Sequence, residues 1–247
     1  MLLRKLYLEL TSDCNLDCAI CYRRAWTEPP RELDEAIFGR IAAEANRMPD
    51  LRTVVLGGIG EPTAAGLFLQ ALEAFPGKEI VVTTNGAAVD DGTLDALARH
   101  ADLVVLSVDG MDETFRRIRG IPLEPVAETA RRLLAPRGGG KRPRVEFQFT
   151  LSADNAADLP RVVDLAADTG VGVVTVSHLL PQEEGAADSI LYARCGLPAT
   201  KRLYETVRLR SMRRGVSVLL PPLELKTERR CAFAEDGAAC VASGGEV

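Results

Sequence analysis

The chain has 247 residues, a hydrophobic content of 47% and a formal net charge of −5. That length suits one large α/β domain, and that composition supports a sizeable core rather than disorder. The acidic balance argues against a general electrostatic binder of nucleic acid, and no apolar run approaches the roughly 20 residues of a membrane span. Arg4 and Lys5 lead into strand-like sequence that carries Glu9, not into a long apolar region. No secretory signal is read, so a cytoplasmic protein with reduced thiols is expected, with neither nucleic acid nor membrane as partner.

The first expected strand is Leu6 to Leu10. It runs directly into Cys14-Asn15-Leu16-Asp17-Cys18-Ala19-Ile20-Cys21. Cysteines at gaps of four and three can turn three thiolates toward one point. A cubane iron–sulfur cluster takes four protein ligands in its closed form, and three would leave one iron open. A structural zinc site is the alternative; its fourth ligand would come from His100, His178 or a distant cysteine. Buried apolar thiols are a third reading, but Asp13, Asn15 and Asp17 suit a loop better than a core.

Beyond the loop, Trp26 to Pro30 breaks regular structure. Leu33, Ile37, Ile41, Ala45 and Met48 recur at helical spacing, so the pattern predicts a helix over 33–48 that ends at Pro49 and Asp50. Thr53 to Gly57 is a continuous apolar strand of the kind buried on both faces. A helix near 65–75, a strand Glu79 to Thr84, a helix at 91–100 and a strand Leu103 to Val108 follow. Helical sequence covers 111–135 with a break near Gly120 to Pro122. Val145 to Leu151 is the fifth strand, 155–169 a helix and Val171 to Val176 the sixth strand. A helix at 198–214 and a strand Val216 to Leu220 close the regular part. Strands alternating with helices imply right-handed βαβ units and a parallel sheet. About six repeats suit a partial (β/α)6 barrel, with a doubly wound open sheet as the other candidate. In either fold, ligands bind at the carboxyl ends of the strands.

The run Leu8-Glu9-Leu10-Thr11-Ser12-Asp13-Cys14, continuing through Cys21-Tyr22-Arg23, resembles the start of a radical S-adenosylmethionine (SAM) enzyme. The resemblance implies the partial TIM-like barrel of that superfamily. It implies that Cys14, Cys18 and Cys21 hold a [4Fe-4S] cluster whose open iron is chelated by SAM, and that SAM is cleaved to a 5′-deoxyadenosyl radical. Ile20 departs from the aromatic residue often found before the third cysteine.

The segments after the other strands extend the likeness. Gly57-Gly58-Ile59-Gly60-Glu61-Pro62-Thr63 could be a plain turn, but glycines also let backbone approach a ligand and Glu61 offers a carboxylate to an amine. It resembles the GGEP motif that takes the SAM amino group, with Ile59 in place of a glycine; Gly58, Gly60 and Glu61 are the expected contacts. Thr83-Thr84-Asn85-Gly86 and Ser107-Val108-Asp109-Gly110 also match family segments, which implies SAM contacts by Asn85 and Ser107. Arg119 matches an arginine that pairs with the SAM carboxylate in related peptide-modifying members. Strand five offers Gln148 and Thr150. His178, in His178-Leu179-Leu180-Pro181, suits a supporting or core histidine better than a catalytic one. No catalytic side chain is assigned. The basic stretch from Arg131 to Arg144, around Gly138-Gly139-Gly140, joins a helix to the next strand and is read as a solvated surface loop.

Cys231 through Gly245 resembles the opening of a SPASM domain, the cysteine-rich extension that holds auxiliary iron–sulfur clusters. The expected domains are therefore 1–222, a radical SAM barrel, and 223–247, the start of a truncated SPASM-like extension with Cys231 as a first auxiliary ligand. Cys195 and Cys240 receive no role. Within the superfamily, Lys5 to Thr11, Cys21 to Trp26 and Gly58 to Thr63 look like the tungsten-cofactor oxidoreductase maturases. That likeness implies a protein or pterin-cofactor substrate, a tungsten oxidoreductase as partner, and a reduced ferredoxin or flavodoxin as electron donor. The alternative is a peptide-modifying radical SAM/SPASM maturase that installs a cross-link or thioether. A non-catalytic zinc or iron–sulfur interaction domain is the more distant alternative.

Overall fold

The computed structural model describes residues 2–135, 143–180, 189–192, 198–223 and 231–247. Cys195, Pro181 and the glycine-rich middle of the basic stretch, residues 136–142, lie outside the described residues.

The chain alternates strands and helices from its start. Strand β1 (Lys5–Leu8) is followed by the cysteine loop, α1 (Glu35–Arg47), β2 (Thr53–Leu56), α2 (Phe68–Glu73), β3 (Glu79–Thr84) and α3 (Asp91–His100). Then come β4 (Leu103–Ser107), α4 (Asp112–Arg119), α5 (Glu124–Leu134), β5 (Arg144–Leu151), α6 (Leu159–Thr169) and β6 (Val173–His178). The last elements are α7 (Pro198–Arg214), β7 (Ser217–Leu219), a short α8 (Ala232–Glu235) and β8 (Ala238–Val241). Most of these elements match the expected ones with shifts of a few residues at their ends. The break expected near Gly120 to Pro122 divides the 111–135 stretch into α4 and α5, and α6 begins at Leu159 behind a 3-10 turn at Ala156–Asp158 rather than at 155.

All strand pairs are parallel, in the order β7-β6-β5-β4-β3-β2-β1-β8. A doubly wound sheet reverses its strand order at a switch point. Here β1 to β7 cross the sheet in chain order without reversal, so the α/β fold is the expected partial barrel and not the doubly wound sheet. The sheet has β7 and β8 as its two edges.

One expectation needs correction: the regular part does not close with β7. Strand β8 pairs in parallel with β1, Lys5 opposite Ala238 and Leu8 opposite Val241. Arg4 and Lys5 N–H groups both donate to the Gly237 carbonyl, at 2.7 and 3.2 Å, which starts this pairing. The segment Ala238-Ala239-Cys240-Val241 has neither alternation nor bulk to mark it as a strand. Its pairing partner lies at the other end of the chain.

The core sits between sheet and helices. In β5, Val145, Phe147, Phe149 and Leu151 are buried on the helix side, while Glu146, Gln148 and Thr150 between them are only partly covered. The same alternation in β3 buries Ile80, Val82 and Thr84 and leaves Thr83 half-covered on the inner face. Strand β2, by contrast, buries Val54, Val55 and Leu56 in succession. Helix α1 begins where Asp34 caps it, accepting from the Ala36 and Ile37 N–H groups at 2.9 and 3.1 Å. Such a cap is worth about 1 kcal/mol. It turns Phe38 into the core, edge-on to Phe75 at 6.3 Å. No helix among the described residues is long and apolar enough to cross a membrane.

Candidate functional site

Polar residues at strand ends converge on one place. A cavity of 680 Å³ lies over the carboxyl ends of the strands, within the size range of small-molecule sites. Cys14, Cys18, Cys21, Gly58, Gly60, Glu61, Asn85, Ser107 and Arg119 all line it. Thr150 and His178 line it too, and Gln148 instead donates to Ser177 Oγ at 3.0 Å.

The cysteine loop is held from several sides. Cys18 is buried, and its carbonyl accepts the Cys21 N–H at 3.1 Å. The Ala19 N–H donates to the Ile118 carbonyl at 2.7 Å, which fastens the loop to α4. Burial pushes the Cys14 and Cys18 thiols up from their ordinary range; for Cys18 the nearby Arg119 works in the other direction. Assembly of a cluster on these thiols would therefore release protons.

Among the described residues, no group of three or more His, Cys, Asp and Glu side chains closes around a single metal ion. The three thiols line one cavity.

Glu61 is the hub of the glycine-rich loop. It is buried, and its Oε1 accepts from Thr63 N–H at 3.1 Å, Thr63 Oγ1 at 2.7 Å and Thr84 Oγ1 at 2.6 Å. Its Oε2 accepts the Asn85 N–H at 2.7 Å, and the residue lines the cavity. Asn85 carries the chain of contacts onward. Its Nδ2 donates to Asn15 Oδ1 at 2.7 Å and lies 3.8 Å from Cys14 Sγ. Gly60 packs directly on the start of the cysteine loop. A Cβ there would stand 2.2 Å from the Thr11 carbonyl oxygen and 2.3 Å from that of Asp13. The Glu61 N–H donates to the same Asp13 carbonyl at 2.7 Å. The sequence reads these glycines as room for a ligand; the closest approach at Gly60 is made by the chain itself.

Arg119 is not a free cation waiting for a carboxylate. Its guanidinium forms an ion pair with Asp109, which is wholly buried, and its Nη1 lies 3.7 Å from Cys18 Sγ. Burial opposes the charge on Arg119, but Asp109 and then Cys18 outweigh it and hold the guanidinium charged. Asp109 also accepts the Thr150 N–H at 2.7 Å through Oδ1. Sequence reasoning gives Asp109 no role. Its signal is an acid and a glycine at a strand end, ten residues before the arginine. Two buried polar atoms in the cavity wall have no hydrogen-bond partner among the described residues: Arg119 Nε and His178 Nδ1. Arg119 Nε is a donor, and His178 Nδ1 is the acceptor of a neutral ring whose Nε2 donates to the Pro222 carbonyl at 3.1 Å; buried polar atoms of either kind are ordinarily satisfied. Together with the three thiols, they make a donor set that fits an iron–sulfur cluster and a zwitterionic cofactor.

The Asp109–Arg119 pair gives a first expected result. Asp109→Asn leaves Arg119 buried without its anion, and unfolding by urea finds the variant about 3 kcal/mol less stable. A loss under about 0.5 kcal/mol, the scale of an ordinary surface substitution, would show that the pair does not hold the site.

Comparison with known proteins adds three findings. The profile of the radical SAM superfamily matches residues 8–135. The chain is 30% identical to the tungsten-containing aldehyde ferredoxin oxidoreductase cofactor-modifying protein of Pyrococcus furiosus, over 99% of this chain and 70% of that protein. It shares its fold with Streptococcus suis SuiB. In complex with S-adenosylmethionine, that structure matches at 18% identity and a TM-score of 0.69, over 89% of this chain and 50% of SuiB. In complex with the precursor peptide SuiA, it matches at 16% identity and a TM-score of 0.72, over 99% and 59%. The chain thus spans half to three-fifths of the length of that solved relative.

Proposed function

This chain belongs to the radical SAM superfamily, and from that premise we propose that it cleaves SAM reductively and abstracts hydrogen from a substrate bound over the barrel mouth. The observation that carries this reading is the meeting of three loop thiols, the Glu61 loop and Arg119 in one cavity. Cys14, Cys18 and Cys21 would hold the [4Fe-4S] cluster, and Gly58, Gly60, Glu61, Asn85, Ser107 and Arg119 would surround SAM. When bound, that pair supplies one-electron cleavage of the sulfonium to methionine and a 5′-deoxyadenosyl radical.

The chain's own part is binding, orientation and exclusion of water. Glu61 Oε2 and the backbone of Gly58 to Gly60 offer acceptors to the SAM amine. Arg119 offers Nε to its carboxylate while Asp109 holds the rest of the guanidinium still. Ser107 and Thr150, at the ends of β4 and β5, face the same space. A reduced ferredoxin or flavodoxin is the electron donor in this reading. Residues 1–222 are its catalytic unit, and 223–247 open a SPASM-like extension in which Cys231 starts an auxiliary cluster site. Cys231 and Cys240 are both exposed.

The substrate reading that the comparisons back better is a peptide-modifying maturase. Its support is the fold shared with SuiB, together with a cavity whose rim carries Ile20, Tyr22, Leu179 and Leu180. A second reading, maturation of a tungsten-containing aldehyde:ferredoxin oxidoreductase or its pterin cofactor, draws on the Pyrococcus furiosus relative.

Deuterium transfer separates these readings. The reconstituted, dithionite-reduced protein is incubated with SAM and either deuterated cellular peptides or deuterated tungsten–pterin cofactor. Deuterium in 5′-deoxyadenosine from the peptides supports the first reading, and from the pterin the second. No 5′-deoxyadenosine at all, under any condition, would refute the function itself.

A further inference from the structure

Glu9 stands one residue past β1 and is 5% exposed. Its two carboxylate oxygens reach in different directions. Oε2 accepts the Ile59 N–H at 2.6 Å. Oε1 accepts the Ser243 N–H at 3.2 Å and the Ser243 hydroxyl at 2.8 Å. The Glu9 N–H donates to the Val241 carbonyl at 3.0 Å. Among the described residues, no Lys, Arg or His forms an ion pair with this carboxylate. A buried carboxylate without a cation persists only where fixed donors replace its water. Two of the three donors here belong to Ser243, beyond β8.

The third donor belongs to the glycine-rich loop. Ile59 lies between Gly58 and Gly60, two residues before Glu61, and all four line the cavity. Gly58 rests against the carboxylate: a Cβ there would stand 2.4 Å from Glu9 Oε2. The loop is thus pinned from beneath by Glu9, and Glu9 is pinned by the segment after β8. That segment is anchored from one side, through β1. β8 is an edge strand of four residues, followed by a turn in which the Ala242 N–H donates to the Glu246 carbonyl at 2.9 Å and Gly245 packs on Ile37.

We propose that Glu9 is a positioning residue that couples docking of the C-terminal segment, residues 238–246, to the shape of the SAM-binding loop, residues 57–61. This rests on the reading that Gly58 to Glu61 contact SAM. When the segment undocks, Glu9 loses the Ser243 donors, turns toward water and releases the Ile59 N–H. The cavity wall then loses the geometry that presents Gly58, Gly60 and Glu61. By thermodynamic reciprocity, SAM bound on the loop tightens the docking of the segment by the same factor.

Amide hydrogen exchange on the full cluster-loaded chain, with and without SAM, tests the coupling. Without SAM, Ser243→Ala and Glu9→Gln each raise exchange at 57–61 about tenfold, while the rest of the barrel is unchanged. In the parent chain, SAM slows exchange at 238–246 as well as at 57–61; in both variants the slowing at 238–246 is lost. KM for SAM rises about tenfold with kcat retained. Exchange that rises throughout the sheet would mark a merely structural role and overturn the proposal. So would exchange at 57–61 and SAM affinity that both stay within twofold of the parent. If Glu9→Gln does not fold, Ser243→Ala decides alone. If SAM protects nothing in the parent chain, the SAM reading fails, and exchange at 57–61 without SAM still judges the coupling.

Discussion

Cys18→Ala lowers 5′-deoxyadenosine formation by more than about 100-fold, beyond the 10–100-fold that changes outside the ligand set typically cost. The size of the loss follows from the position. Cys18 is the buried member of the three thiols, 6% exposed, and its backbone closes the loop through the Cys21 N–H at 3.1 Å. Alanine preserves that backbone bond and the Asp109–Arg119 pair, so the barrel stays folded while one ligand disappears. Iron and sulfide per chain fall with the activity. A variant that kept full SAM cleavage would show that Cys18 is not a cluster ligand.

Gly60→Ala is the second large effect, and it acts through space alone. The added Cβ would meet the Thr11 and Asp13 carbonyl oxygens at 2.2 and 2.3 Å. Both are backbone atoms immediately ahead of Cys14, so relief requires moving the root of the cysteine loop. Forced overpacking of this kind costs about 3 kcal/mol, or about 10 °C in Tm for a chain of this size. Cluster loading falls as well, because the loop that moves carries the thiols. Gly39 provides a control of opposite sign. It lies inside α1, and a Cβ added there would meet nothing within 4 Å, so Gly39→Ala stabilises by about 0.5–1 kcal/mol. Thermal unfolding and iron content measured on both variants check the pair. Equal, small shifts for Gly60→Ala and Gly39→Ala would remove the packing argument.

The barrel was legible because its signals are local. Helix α1 shows its period in Ile37, Ile41 and Ala45, and β5 shows its strand in the run from Val145 to Leu151. The site was legible because a parallel sheet gathers whatever follows its strands. Cys14 to Cys21, Gly58 to Glu61, Asn85 and Ser107 belong to the carboxyl ends of four different strands and still line one cavity. What the sequence hid are pairings between distant residues. Strand β8 has no pattern of its own and exists through β1. Arg119 reads as a free cation until Asp109 is placed against it. Glu9 reads as a charge on a strand, and only the fold puts Ile59 and Ser243 on either side of its carboxylate. Gly60 reads as a place for a ligand, and the fold shows another loop already pressed against it.

The central claim is that three thiols hold a cluster with one iron open to SAM. Its most direct test is electron paramagnetic resonance of the anaerobically reconstituted, reduced protein, recorded with and without SAM. A [4Fe-4S]+ signal that changes when SAM is added is the expected result. A cluster signal indifferent to SAM, or one equivalent of zinc in place of iron, would contradict it.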